Sequence, residues 1–250
     1  MKKTYDKTHF GYRLINLKEK EKKIMNIFTN VSKKYDLMNN IMSIGLHYQW
    51  KKFTVKNSHV KPGQTVLDLA SGTGDITILL RKKMKGIGKF FLVDLNYEML
   101  KISRNKLLDL GIINNTFFIQ ANAQSLPFNK NSFDCIIISF GLRNITDQEK
   151  TLKSMFNICK PGGKILILEF SHPKSLLIKK LYNLYSFYII PKLGKIIAQD
   201  KNSYEYLVES IQIHPSQTEL KFMIEKSGFQ NCSYYDLHNG IVSLHIAYKY

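Results

Sequence analysis

Val66-Leu67-Asp68-Leu69-Ala70-Ser71-Gly72-Thr73-Gly74-Asp75 is an apolar run that ends on an acid and opens into a Gly-Thr-Gly turn ahead of an amphipathic stretch. A buried parallel strand turning sharply into a helix has this pattern, because glycine takes φ > 0 and lets the backbone approach a ligand closely. The turn marks a nucleotide-type site, and its details narrow the ligand. A dinucleotide fingerprint needs a third glycine, for close helix–strand packing, and a helix N-terminus that faces a pyrophosphate; here that third position is Thr77. Asp75 suits the helix dipole in the first turn, yet it would repel a bound phosphate. A phosphate-free ligand fits better. S-adenosylmethionine has a ribose diol, an adenine and a zwitterionic tail beside a sulfonium cation, which nearby carboxylates help to hold. The strand Phe90-Phe91-Leu92-Val93 ends at Asp94, twenty residues beyond Gly74, where a carboxylate accepts hydrogen bonds from ribose hydroxyls, as it does in NAD sites. Asp68, Gly72, Thr73, Gly74 and Asp94 are therefore the cofactor candidates, with Asp94 the ribose ligand.

Outward from this loop the pattern alternates. Strands are expected at 64–70, 88–95, 116–121, 133–140 and 163–170, with helices near 75–85, 97–110 and 147–159. Such alternation predicts an α/β fold with a doubly wound, Rossmann-like sheet that is mostly parallel. Pro161-Gly162-Gly163 reads as the turn into the fifth strand. A helix at 218–227 then leads to a strand near 231–237, and Asn239-Gly240 reads as a two-residue hairpin into 241–249, so the C-terminal strand runs antiparallel. That ending separates a methyltransferase sheet from a dinucleotide-binding dehydrogenase. Residues 1–60 form a basic N-terminal segment with a helix from about Lys18 to Ser32. Residues 172–217 form an insertion rich in aromatics (Tyr182, Tyr185, Phe187, Tyr188, Tyr204, Tyr206), either the core of a helical pair or, in part, the lining of an apolar acceptor pocket.

The chain's 250 residues and 44% apolar content suffice for one α/β domain spanning 1–250. The net charge of +18 invites a nucleic-acid reading, but of 37 basic residues only Arg13, Arg81, Arg104 and Arg143 are arginines. Phosphate and base readers lean on arginine's bidentate fork, so the lysine excess, which beside plentiful Asn and Ile reads as AT-rich codon usage, points away from nucleic acid and leaves attraction to an anionic membrane surface open. Cys135, Cys159 and Cys232 lie far apart without Cys-x-x-Cys spacing, so no zinc site, metal centre or disulfide framework is expected. The N-terminus lacks the apolar core of a signal peptide and no apolar run spans a bilayer. A cytoplasmic protein, soluble or peripheral on the inner face of the membrane, is the expectation.

The run Tyr35-Asp36-Leu37-Met38-Asn39-Asn40-Ile41-Met42-Ser43-Ile44-Gly45-Leu46-His47-Tyr48-Gln49-Trp50 resembles the first signature of the ubiquinone/menaquinone biosynthesis C-methyltransferases, the UbiE/COQ5 family. Lys160-Pro161-Gly162-Gly163 followed by Glu169-Phe170-Ser171 resembles the second, with Asn157 and Cys159 where the family usually has Arg and an aliphatic residue. Ser139-Phe140-Gly141-Leu142-Arg143-Asn144 and the stretch from Leu244-His245 to Lys249-Tyr250 also look like the family, so the resemblance covers the chain from about residue 10. It implies an enzyme that uses S-adenosylmethionine to methylate a ring carbon of a lipophilic, prenylated quinol. It also implies cofactor contacts at Thr73, Asp94, Asn122, Ala123 and Ser139. Contacts with other quinone-biosynthesis enzymes are compatible with it, and the oligomeric state stays open, a homodimer being one option.

Methyl transfer is a displacement at a carbon already activated by the sulfonium; the difficulty lies in the acceptor. A quinol carbon becomes nucleophilic as its neighbouring hydroxyl loses a proton, and a phenol of pKa about 10 is mostly un-ionised at neutral pH. The site must stabilise a phenolate and receive a proton. Arg143 is the candidate for stabilising the oxyanion or orienting a water, the competing reading being a structural pair with a carboxylate such as Asp147. His47, His172, His214 and Asp200 are candidate bases, Glu169 a structural acid, and Tyr35 and Asp36 a lid. The rival classes are a methyltransferase of this fold acting on another small phenol, a sterol or a tRNA, and a non-catalytic cofactor-binding scaffold.

Overall fold

The computed structural model describes residues 7–250. The first six residues, which belong to the reading of the N-terminus, lie outside the described residues. Seven strands form one sheet: β3 (Thr65–Leu69), β4 (Lys89–Asp94), β5 (Thr116–Gln120), β6 (Phe133–Ser139), β7 (Cys159–Phe170), β8 (Gln230–Leu237) and β9 (Val242–Tyr248), in spatial order β5-β4-β3-β6-β7-β9-β8. The pairings from β5 to β7 are parallel, and β9 lies antiparallel between β7 and β8. The fold is the expected mostly parallel α/β sheet, with antiparallel pairing at its C-terminal end. The chain winds outward from β3 to β5 and returns to β6 on the other side. The loops after β3 and β6 therefore diverge at the switch point where open α/β sheets bind ligands.

Alternation along the central strands builds two cores. Leu67, Leu69, Ile136, Ile138, Ile165 and Ile167 pack on one face against α6 (Gln148–Ile158) and α10 (Gln217–Lys226). Val66, Cys135, Ile137, Leu166 and Leu168 pack on the other against α3 (Leu46–Asn57) and α4 (Asp75–Lys83). Both faces are covered, which is why these strands read as continuous apolar runs.

Two turns differ from expectation. Pro161-Gly162-Gly163 is a bulge inside β7 rather than a turn before it: Phe133 pairs with Cys159 and Cys135 already pairs with Lys164. The last hairpin uses four linking residues, His238 to Ile241, with His238, Asn239 and Gly240 all at positive φ. The N-terminal segment holds more than the expected helix. A small hairpin, β1 (Lys7–Phe10) and β2 (Arg13–Asn16), precedes α1 (Leu17–Val31), and α2 (Tyr35–Met42) follows it. The insertion is mostly helical: α7 (Leu176–Leu184), two π-helical turns at 185–189 and 194–198 around α8 (Ile190–Leu193), then α9 (Lys201–Gln212). Val31 and Met38 from the N-terminal helices pack with Ile190, Tyr204 and Val208 of the insertion in a third, smaller core that roofs the switch point.

Candidate active site

At the end of β3 the chain reverses through Ala70 and Gly72, both in the left-handed region, and Phe140 after β6 does the same. Non-glycine residues held at such angles mark places where the surroundings over-determine the backbone. The two loops nearly touch: a Cβ at Gly141 would come within 2.6 Å of the Ala70 Cβ. Asp68 accepts from the N–H and Oγ1 of Thr77 at 3.1 and 2.8 Å, tying strand to helix. Burial outweighs those bonds and pushes its carboxyl up to about 7. Asp94 accepts from the Gly72 N–H and the Asn96 N–H, both at 2.9 Å, and burial raises its pKa as well. The acid read from sequence as a ribose ligand also holds the glycine loop.

Two cavities meet at the switch point and share Phe28, Tyr35, Gly72, Ser139, Phe140 and Asn144 among their walls. One contains Asp94, Asn122 and Ala123 beside Met99 and the α1 residues Glu21, Ile24 and Met25. Glu21 accepts from Asn122 Nδ2 and Gln124 Nε2, while Asn96 Nδ2 donates to the Met25 carbonyl and Thr29 Oγ1. Helix α1 is thereby a pinned roof. The other cavity contains Asp68, Thr73, Ser139 and Arg143 with a largely aromatic and aliphatic wall, including Trp50, Phe170, Tyr182, Tyr185, Tyr204 and Tyr206. At the junction, Ser139 Oγ and Asn144 Nδ2 are buried without a protein partner. So every cofactor candidate lines a cavity except Gly74, which starts α4 at φ +83° and is packed against Ser103, Leu107 and Leu92.

Arg143 sits on the wall of the aromatic cavity, fixed by Nη1 bonds to Glu169 Oε1 (2.7 Å) and the Phe140 carbonyl (2.6 Å). Its own backbone N–H donates to Glu169 Oε2. Its partner is Glu169 rather than Asp147, whose side chain instead caps α6 by accepting from the Lys150 N–H. Arg143 Nε is left without a protein partner. Of the four candidate bases only His47 lies on a wall of these two cavities. Both its nitrogens are unpartnered, and burial, helped by the Lys51 ammonium, lowers it to about 4. His172 Nε2 bonds the His214 carbonyl. His214 is a buried neutral ring outside either wall, burial lowering it to about 3. Asp200 caps α9 through Ser203.

An ionic strap crosses the glycine loop. Thr73 Oγ1 donates to Asp36 at 2.6 Å, Lys106 bridges Asp36 and Asp75 at 2.9 and 2.6 Å, and Lys51 reaches Asp75 at 2.7 Å. Burial raises the Asp75 carboxyl, but the two ammonium groups outweigh it and hold it down to about 2. Asp75 is thus a compensated charge and not the bare repulsive one that the loop suggests. Sequence reasoning missed Lys51, Lys106, Glu21 and Asn144. The first three act across 24 to 103 residues of chain, and only Asn144, next to Arg143 in the family-like run, left a local signal.

Residues 16–249 match the ubiE/COQ5 methyltransferase family. A protein of Legionella pneumophila (strain Corby) named ubiquinone/menaquinone biosynthesis C-methyltransferase UbiE is 53% identical over 243 residues, 97% of each chain. An Escherichia fergusonii protein of the same name is 48% identical over 248 residues, 99% of each. Among solved structures, a SAM-dependent methyltransferase of Thermotoga maritima superposes with a TM-score of 0.65 at 18% identity, covering 91% of this chain and all of the other; that likeness concerns the fold.

Proposed function

The chain belongs to the ubiE/COQ5 methyltransferase family, and from that premise we propose that it transfers the methyl group of S-adenosylmethionine to a ring carbon of a prenylated quinol in ubiquinone or menaquinone biosynthesis, the acceptor being a polyprenyl methoxybenzoquinol, demethylmenaquinol or both. The observation that carries this reading is the pair of cavities meeting at Ser139, Phe140 and Asn144. One presents a ribose acid, the other a greasy wall with a single guanidinium.

The residues present fit S-adenosylmethionine. Asp94 offers carboxylate oxygens for the ribose, Asn122 and Ala123 flank the adenine side with Met99 and Ile24, and Ser71 Oγ and Ser139 Oγ are buried without partners. When bound, this group supplies an electrophilic methyl on a sulfonium. Gly72, Thr73 and Asp68 shape the loop that receives its amino-acid end. The insertion at 172–217, within one domain, supplies the acceptor wall through Tyr182, Tyr185, Tyr204 and Tyr206.

The remaining chemistry belongs to the quinol hydroxyl. Arg143 Nε–H and the Asn144 Nδ2 amide, whose Oδ1 already accepts from Tyr206 Oη, are buried donors without a partner among the described residues, so the pair stabilises the developing phenolate and orients a water that takes the proton. A direct transfer to His47 is unfavourable: its pKa of about 4 lies roughly 6 units below a phenol's. Neutral His47 acts as a hydrogen-bonding wall. No helix of the described residues is long and apolar enough to cross a membrane; the proposed approach to the lipophilic substrate is peripheral, and nucleic acid has no place in the reading.

The test is purified protein with methyl-labelled S-adenosylmethionine and a short-tailed demethylated quinol. Label in the quinol is expected; tight cofactor binding with no transfer would leave the scaffold reading instead.

A further inference from the structure

We propose that the outer face of the helical run from Leu176 to Ala198 is the surface on which this protein rests on an anionic lipid bilayer. The proposal deepens the functional reading above, since it names where a lipid-borne acceptor enters. Six large apolar side chains, Leu176, Leu177, Leu181, Leu184, Tyr188 and Ile196, are each between 57% and 77% exposed along this run. Leu177, Leu181, Leu184 and Tyr188 recur at intervals of three and four, which stacks them on one side of a helix. The opposite side turns inward: Tyr182, Tyr185 and Ile190 line the aromatic cavity, and Ser186, Ile190, Pro191 and Gly194 are buried. Exposed apolar surface this concentrated marks an interaction site.

Charge decides what occupies it. From Phe170 to Gln199 there is no Asp or Glu, while Lys174, Lys179, Lys180, Lys192 and Lys195 all fall in that stretch. All five are exposed, and of them Lys174 pairs with Asp236. An apolar stripe flanked by lysines, four of the five without an acid partner among the described residues, is the pattern of a helix lying in the headgroup boundary, with leucines in the acyl region and ammonium groups at the anionic surface. A second copy of this chain fits poorly. A two-fold contact brings the same patch against itself, and here that would set lysine against lysine, a costly juxtaposition. The position of the cavity agrees. A helix with its side chains is about 10–12 Å across, so an apolar molecule leaving the bilayer would reach Tyr182 and Tyr185 by crossing the thickness of one helix. Tyr185 Oη donates to the Met42 carbonyl, and Ile44, just beyond, is 83% exposed, extending the apolar margin onto the loop after α2.

The test is co-sedimentation of the full chain with vesicles of phosphatidylglycerol mixed with phosphatidylcholine and with vesicles of phosphatidylcholine alone, without quinol or cofactor. The wild type should bind the anionic vesicles more tightly, and Lys179→Glu/Lys180→Glu should lose about 30-fold or more, since a basic group near such a surface contributes about five-fold (about 1 kcal/mol). Leu181→Asp/Leu184→Asp should abolish binding while melting temperature and S-adenosylhomocysteine affinity stay at wild type. Turnover of a short-tailed quinol in solution should be unchanged in both variants, so methyl transfer and membrane docking fail separately. Undiminished vesicle binding by the leucine variant would overturn the proposal. So would a wild type that is dimeric in solution and rendered monomeric by the same change, because a second copy would then be the occupant.

Discussion

Replacing Arg143 by methionine removes one half of a buried ion pair. Glu169 is fully buried and Arg143 only 9% exposed, so the variant leaves a carboxylate with no counter-charge, held only by the N–H groups of Arg143 and Phe170. Breaking such a pair on one side costs about 3–5 kcal/mol. At roughly 2–4 °C per kcal/mol for a chain of this size, the melting temperature should fall by about 6–20 °C. Adding Glu169→Gln removes the stranded charge and keeps an acceptor for one of the two N–H groups, which bond different carboxylate oxygens, so the double variant should recover to within about 1–3 kcal/mol of wild type, the cost of one unpaired buried donor. Activity should not recover with it. Loss of a donor to a developing oxyanion lowers kcat by about 10²–10³, and raising the pH toward the free quinol pKa of about 10 should restore part of the rate. Arg143→Lys should resemble the double variant in rate, since an ammonium lacks the planar fork. The assays are thermal unfolding and label transfer to a short-tailed quinol across pH. Wild-type kcat in the refolded double variant would reduce Arg143 to a structural partner of Glu169; an unchanged melting temperature in the single variant would refute the stability argument.

Asp94→Ala should weaken S-adenosylhomocysteine binding by on the order of 1.5–3 kcal/mol, the worth of bonds to a charged group; calorimetry showing undiminished affinity would remove Asp94 from the site. His47, His214 and His245 are all lowered by burial, to about 4, 3 and 4, so the stability they lend is present above pH 6.5 and is lost as pH falls toward 4. Asp68, raised to about 7, has the opposite sign over that window. Denaturant unfolding against pH should therefore show a net loss on acidification, shallower by about 1.4 kcal/mol per pH unit at most in His245→Gln; an identical slope would mean that His245 is not buried neutral. Asp36→Asn should loosen the strap to Thr73 and Lys106, which limited proteolysis would read as faster cleavage within residues 17–57 without cofactor and recovery of protection with it; protection indifferent to both would exclude a lid.

The parts of the fold legible in sequence were those with an uninterrupted local signal. Strands buried on both faces, such as Ile136 to Ile138 and Ile165 to Leu168, announce themselves because no polar face interrupts them. The hairpin of β1 and β2 and the left-handed backbone at Ala70 and Phe140 gave no such signal, since their geometry follows from what they pack against. Asp94 was readable because a strand end and a fixed offset define it. The partner of Arg143 was not: Asp147 is four residues along the chain, but Glu169 stands on the neighbouring strand, and only the sheet order makes the second closer. The same reason hid Lys51 and Lys106, two lysines among many until the fold brings both to Asp75.

Trp50 is the sole tryptophan of the sequence. It forms part of the aromatic cavity's wall, touches Phe140 and Phe170 edge-on or tilted, and donates its indole N–H to His238 Nδ1 at 2.8 Å. The molecule thus carries its own optical gauge. Its red-edge emission arises at one spot, against the space where an acceptor ring would stack, so quenching or a wavelength shift on titration would register arrival in that cavity without any label and on the timescale of mixing.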